Sequence, residues 1–382
     1  MPDATRGQAV SEFVLKIRQL CNLACDYCYM YEMADQSFRG RPAEMSWPVL
    51  EMTADRIRDY VRLEGVAQPR VILHGGEPLL AGPQRLARLA QLMRDRIPGV
   101  VLSLQTNGVL LKPRILDVLL AEGIGVGVSI DGAPAAQDRH RRFADGRGSS
   151  AQVAAGLELL GSDRYASLFS GLLCVASLEN DPLETYRSLL SYRPPALDFL
   201  LPLANHVTPP ARGYGRWLGA IFDEWYAAPV MPAYIRLFGE IMHLAAGGAP
   251  RTDFIGQPQP GLAMVIESDG SYEMVDALKS AYEGAAATGL HVSAASVHDA
   301  AGYQQAYMDS SGVTRLHRTC QECLVRDICH GGYYPHRWDG ASFLAVSAYC
   351  EDLMWLISHI THRMREDLAF LEEGKNASTR TA

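Results

Sequence analysis

The sequence predicts an α/β protein built around a parallel sheet, and three observations carry that prediction. Over the first 200 residues, short apolar runs alternate with longer amphipathic stretches, the pattern of βα units. The loops after the apolar runs are polar or glycine-rich (CNLACDYC, HGGEP, QTNG, SIDG, LANH), and parallel α/β folds gather their chemistry at such strand ends. At 382 residues the chain also exceeds what one core usually fills, so a large domain with a smaller companion is expected.

Six strands are predicted, at 12–17 (EFVLKI), 70–75 (RVILHG), 101–108, 125–132, 170–177 and 197–203. Helices are predicted between them at 47–64, 82–94, 112–122, 150–161 and 182–191, each with apolar residues three and four apart. Right-handed crossovers allow either a closed barrel or an open sheet. A helical segment at 214–246 leads into a stretch dense in Gly and Pro at 247–261, which reads as a linker. Residues 262–276 read as a hairpin turning at Asp269 and Gly270, and 351–371 as a last helix. The implied division is a flexible start at 1–11, a core at 12–213, a helical segment and linker at 214–255, a second domain at 256–371 and a disordered tail at 372–382.

Composition narrows the class. Hydrophobic residues are 48% and charged residues 20%, and no apolar run is long enough to span a membrane. The N-terminal residues lack the apolar region of a signal peptide, so a cytoplasmic protein is expected. A net charge of -8 argues against a nucleic-acid partner.

Seven of the eight cysteines fall in two clusters, which in a reducing compartment read as metal ligands. Cys174, inside the apolar run LLCVAS, reads as a core residue. Cys21, Cys25 and Cys28 follow the first strand, and a cubane normally takes four thiolates, so three leave one iron open. The competing reading is structural zinc with His74 or another residue as fourth ligand. Cys320, Cys323, Cys329 and Cys350 supply four thiolates, enough to close either a second [4Fe-4S] cluster or a zinc site.

The spacing of the first three cysteines, with Tyr27 before the last, resembles the radical S-adenosylmethionine (SAM) superfamily, as does Gly75-Gly76-Glu77-Pro78 after the second strand. The resemblance implies a partial (β/α)6 barrel in which SAM chelates the open iron. Gly75 and Gly76 would then approach SAM closely, and Glu77 would bind its ammonium. It also implies that Ser129 and Arg141 hold the SAM carboxylate, with Asn107 and Asp131 among the polar strand ends. Asn107 and Asp131 equally suit turns beside Gly108 and Gly132.

The second cluster resembles the SPASM extension of radical SAM enzymes that act on peptides, and departs from it in a coherent way. Tyr333 stands where the last core cysteine would be and Val275 where another would follow Gly270, so only one auxiliary cluster is implied. Asp276 lies beside that lost position, and in sulfatase-maturing relatives an Asp there deprotonates the substrate. A salt bridge to Lys279 is the alternative.

Residues 12–370 are most similar to the FxsB-like subgroup of radical SAM/SPASM peptide maturases. This implies SAM and two [4Fe-4S] clusters as cofactors, a ribosomally made precursor peptide as substrate, and an electron donor such as flavodoxin or ferredoxin. The reaction implied is an intramolecular crosslink from an aromatic ring to a side-chain β-carbon. Thioether formation, hydroxylation, epimerisation and oxidation to formylglycine are the alternatives. The first 11 residues are too short for a leader-binding domain, so leader recognition is expected on another surface, with 214–246 a candidate, or on a separate protein.

Overall fold

The computed structural model describes residues 9–257 and 263–379. The six predicted strands form β1 (Glu12–Arg18), β2 (Arg70–Gly75), β3 (Val101–Thr106), β4 (Gly125–Ser129), β5 (Phe169–Val175) and β6 (Ala196–Leu200). They pair in parallel and in sequence order. Sequence order with crossovers of one hand stacks every helix on one face and leaves the other face free.

Side-chain alternation sorts the residues accordingly. Phe13, Leu15, Val71, Leu73, Leu104, Val126, Val128, Leu172 and Cys174 are buried in the main core. Their neighbours Val14, His74, Gln105, Ser129, Leu173 and Asp198 line a cavity on the other face. Cys174 is therefore a core residue, as expected.

Local signals explain the helices. Trp47–Glu64 starts at Ser46, whose hydroxyl accepts from Val49 N, and stops at Gly65 with φ +70°. The segment expected as one helix at 214–246 is two, Tyr214–Tyr226 and Arg236–Ala245, because Pro229 and Pro232 interrupt it. Between them β7 (Tyr234–Ile235) adds to the β6 edge. The expected hairpin forms β8 (Ala263–Ile266) and β9 (Ser271–Glu273), with β10 (Ala287–His291) beside β9. β8 pairs in parallel with β1, so the second half of the chain continues the same sheet.

The last helix, Cys350–Thr379, packs back on Tyr214–Tyr226, where a Cβ on Gly215 would meet Asp352 O at 2.3 Å. One core runs from Val10 to Ile360, and a smaller one gathers Met274, Leu278, Met308, Tyr334 and Phe343. Within the stretch expected to be a flexible start, Val10 is buried and its amide donates to Tyr60 Oη at 2.9 Å; residues 1–8 lie outside the described residues. The last helix passes through 372–379, where a disordered tail is expected, and 380–382 lie outside the described residues. So does 258–262 of the expected linker.

Candidate active site and a four-thiol site

The loop leaving β1 is tied to the start of the GGEP segment. Gly76 N donates to Arg18 O at 2.8 Å and Glu77 N to Leu20 O at 2.9 Å. This seats Cys21, Cys25 and Cys28 on the wall of one cavity of about 650 Å³. Burial, and the thiols' effect on one another, push Cys21 and Cys25 up to about 11 and raise Cys28. Arg141 opposes the rise at Cys25 but does not reverse it, so the three thiols fit a metal group whose charge would hold them as thiolates. Leu23 N at 3.4 Å and Asn107 Nδ2 at 3.7 Å donate to Cys21 Sγ, which suits a ligating sulfur.

Spacing separates zinc from a cluster. A tetrahedral zinc with 2.3 Å bonds sets its sulfurs roughly 3.8 Å apart. Among the described residues, no three cysteines bring their sulfurs within 4.8 Å of one another. Both cysteine sets are thus wider than a closed tetrahedral zinc site. Nor is His74 free to be a fourth ligand through Nδ1, which accepts from Gly75 N at 2.8 Å beside Lys16 Nζ at 3.2 Å.

The glycines have a reason the sequence reading missed. A Cβ on Gly75 would lie 1.9 Å from Arg18 O, and one on Gly76 would lie 2.0 Å from Tyr31 Oη and 2.6 Å from Leu20 O. Both are required first by the close packing of the two loops. Glu77 has partners within the chain that the resemblance did not imply. It is fully buried and accepts from Leu79 N at 2.9 Å, Thr106 Oγ1 at 2.8 Å and Asn107 N at 2.8 Å. Its carboxylate pins the end of β3, and through it the Asn107 side chain, which also reaches Asn22 Oδ1 at 2.8 Å. Burial pushes Glu77 up to about 7.

The ends of β3 and β4 meet, with Gln105 Nε2 donating to Ser129 Oγ at 2.9 Å. Asp131 is buried, accepts from the Tyr27 hydroxyl, and pairs with Arg141 Nε at 3.0 Å. Arg141 lies over the Tyr27 ring at 5.4 Å. Burial opposes its charge, but Asp131, Tyr27 and Cys25 outweigh burial and raise its pKa. Ser129 and Arg141 reach the same cavity as the three thiols. The turn reading of Asn107 also holds, since its Oδ1 accepts from Val109 N at 3.1 Å.

Asp276 lines the cavity too, in a setting only half anticipated. Lys279 is a partner at 3.6 Å, but the direct partner is Lys16, a fully buried lysine whose Nζ donates to Asp276 Oδ2. Tyr29 Oη donates to the same oxygen at 3.2 Å. Burial would raise the Asp276 pKa, but Lys16, Lys279 and His74 hold it well below the carboxylate range. Glu267, Glu273 and Asp276 together have a cation-binding arrangement, which the Lys279 ammonium occupies at 2.5, 2.9 and 3.6 Å. Lys16 had a signal in the sequence, as a charge set between the apolar Leu15 and Ile17 of EFVLKI.

Cys320, Cys323, Cys329 and Cys350 converge on a second, small cavity. The chain reverses there through His330 at φ +47° and Gly331 at φ +86°. Burial and the other three thiols push Cys329 up to about 12. The buried Arg337, held by Gly312, Val313 and Arg315 carbonyls at 3.2, 3.0 and 2.7 Å, places a positive charge near Cys320 and Cys329. Tyr333 and Val275 line the main cavity instead.

Residues 15–175 match the model of the Radical SAM superfamily, so this part of the chain is a radical SAM domain. Its cofactors are SAM and the [4Fe-4S] cluster of that class. The chain is 27% identical over 346 residues to the serine-type anaerobic sulfatase-maturating enzyme of Klebsiella aerogenes, covering 83% of this chain and 77% of the relative. Among solved structures, anSMEcpe with bound AdoMet shares the fold at a TM-score of 0.77 and 21% identity, over 93% of this chain and 98% of that one. Streptococcus suis SuiB bound to its precursor peptide SuiA does so at 0.60 and 14%, over 90% and 76%.

Proposed function

We propose that this enzyme modifies a residue within a ribosomally made precursor peptide, forming an intramolecular crosslink from an aromatic ring to a side-chain β-carbon. One observation carries the reading: the three thiols, Ser129, Arg141 and Asp276 open into a single cavity. When bound, SAM and its cluster supply a 5'-deoxyadenosyl radical that abstracts a hydrogen atom.

The chain's own residues do the rest. Cys21, Cys25 and Cys28 hold the cluster, while Arg141, fixed by Asp131 and Tyr27, offers a planar donor to a carboxylate, with Ser129 beside it. Asn107 and the glycine loop fix the edge of the site, and the mainly apolar walls exclude water. Asp276, ionised and clamped by Lys16, takes the proton that leaves the substrate. A crosslink removes one hydrogen atom, one proton and one electron. Cys320, Cys323, Cys329 and Cys350 would hold an auxiliary cluster able to accept that electron, and a flavodoxin or ferredoxin partner would donate the electron that SAM cleavage consumes.

The second reading is oxidation of a serine or cysteine to formylglycine, favoured by the sulfatase-maturating relatives. We place both in the cytoplasm, with leader recognition on the 214–246 surface or a separate protein. The test is anaerobic reconstitution with SAM, reductant and any small precursor peptide found encoded beside this gene, read by fragmentation mass spectrometry. A product lighter by two hydrogens, with fragments missing between the joined residues, supports the crosslink. The same mass change confined to one serine supports formylglycine, and an unmodified precursor with turnover of a sulfatase peptide overturns the first reading.

A further inference from the structure

On the β6 side of the same cavity lies a polar group that the chemistry above does not use. His336 is 3% exposed, lines the cavity, and has no hydrogen-bond partner on either ring nitrogen among the described residues. It is held between the rings of Tyr333 at 5.5 Å and Tyr349 at 4.8 Å, and the Tyr349 hydroxyl is spent on Pro202 O at 2.8 Å. Two carboxyls share this wall. Asp198 is buried and pairs through Oδ2 with Arg236 Nε at 2.8 Å, leaving Oδ1 without a hydrogen-bond partner among the described residues. Asp253 sits beside the Tyr333 hydroxyl and shares Arg236 with Asp198, to which that guanidinium is directly paired.

Two carboxyls against one guanidinium leave the wall one positive charge short. Buried carboxylates are kept ionised by pairing. A metal ion does not fit: Asp198, Asp253 and His336 do not bring their ligand atoms within 4.8 Å of one another. An organic cation on an apolar stem does fit, because Leu203, Phe254 and Ile255 form the adjoining walls. We propose that Asp253, Asp198 Oδ1 and His336 form a substrate subsite that takes a basic side chain, lysine or arginine, of the peptide being modified. The stem lies along Phe254 and Ile255, and the head donates to the carboxylates, beside the neutral imidazole.

This inference rests on the reading that the substrate is a peptide, and its test does not need turnover. The reconstituted full-length enzyme, saturated with SAM and without reductant, is titrated with N-acetyl-lysine amide, N-acetyl-arginine amide and N-acetyl-norleucine amide by ligand-observed NMR. The basic amides are expected to bind roughly tenfold or more tightly than norleucine amide, and Asp253→Asn to abolish that preference. His336→Leu should weaken the basic amides several-fold, with iron content and the far-UV spectrum checking folding. Equal binding of lysine and norleucine amides, or a preference unchanged in both variants, overturns the subsite. Deoxyadenosine release with reductant is measured separately. Release without lysine preference removes the subsite alone, and lysine preference without release removes the radical reading alone.

Discussion

Gly76→Ala should dislodge the cysteine loop, and the size of the effect follows from two contacts. An added Cβ would stand 2.6 Å from Leu20 O and 2.0 Å from Tyr31 Oη. Ordinary carbon–oxygen contact needs about 3.4 Å, so the backbone beside Cys21 must retreat by roughly 0.8 Å or Gly76 must move by as much. Overpacking of this kind costs about 1–3 kcal/mol. Gly76 has no positive φ, so the cost comes from contact and not from backbone strain. We expect a fall of several degrees in the thermal midpoint together with loss of the SAM-binding cluster, measured as iron per chain and by EPR of the reduced protein. Gly40→Ala, with nothing within 4 Å of the new Cβ, is the control and should match wild type. Tyr31→Phe in the Gly76→Ala background should recover part of the loss by removing the nearer contact. Full iron content and an unchanged midpoint in Gly76→Ala would refute the packing argument, and would leave the glycine a role in admitting SAM.

Cys320→Ala or Cys350→Ala should lower iron from about eight to about four per chain while deoxyadenosine release persists, whereas zinc in the purified wild type would restore the zinc reading. Asp276→Asn should release deoxyadenosine but accumulate little product, and full product at an unchanged rate would remove the proton-acceptor assignment. Because Asp276 is held well below the carboxylate range, the wild-type rate should show no inflection from it above about pH 5. Glu77 is raised to about 7 from 4.5, so the folded state binds the extra proton between these values. Stability from Glu77 is therefore present below about pH 4.5 and lost as pH rises through about 7, by about 3 kcal/mol. Urea midpoints of the metal-free protein at pH 5.5 and 8 check this, and Glu77→Gln should flatten the slope.

The parallel strands were legible because each is a short apolar run with a polar end, and period-two alternation also marked which residues face the cavity. The helix Trp47–Glu64 was legible for its Ser-Trp-Pro start and glycine stop. Four helices were not, among them the one-turn Arg318–Gln321 and Arg326–Cys329. Pro134–His140 is short, and Val297–Ser310 carries almost no apolar stripe, relying instead on its Ser296–Asp299 capping box. The hairpin signal at Asp269-Gly270 gave its own pairing but could not say that β8 would dock beside β1, since that choice depends on the distant partner's face. In the site, spacing identified both cysteine sets. It could not show that Glu77 is consumed by Thr106 and Asn107, or that Lys16 reaches Asp276 across 260 residues. Tyr333 and Val275 read from sequence only as lost cysteines, whereas the fold makes them walls of the cavity.

The most direct measurement is reductive cleavage of SAM by the anaerobically reconstituted protein. Wild type should release 5'-deoxyadenosine, and Cys21→Ala, Cys25→Ala and Cys28→Ala should each release none while keeping the iron of the four-thiol site. Deoxyadenosine release that survives loss of any one of these three thiols would contradict the assignment of the SAM-binding cluster to them.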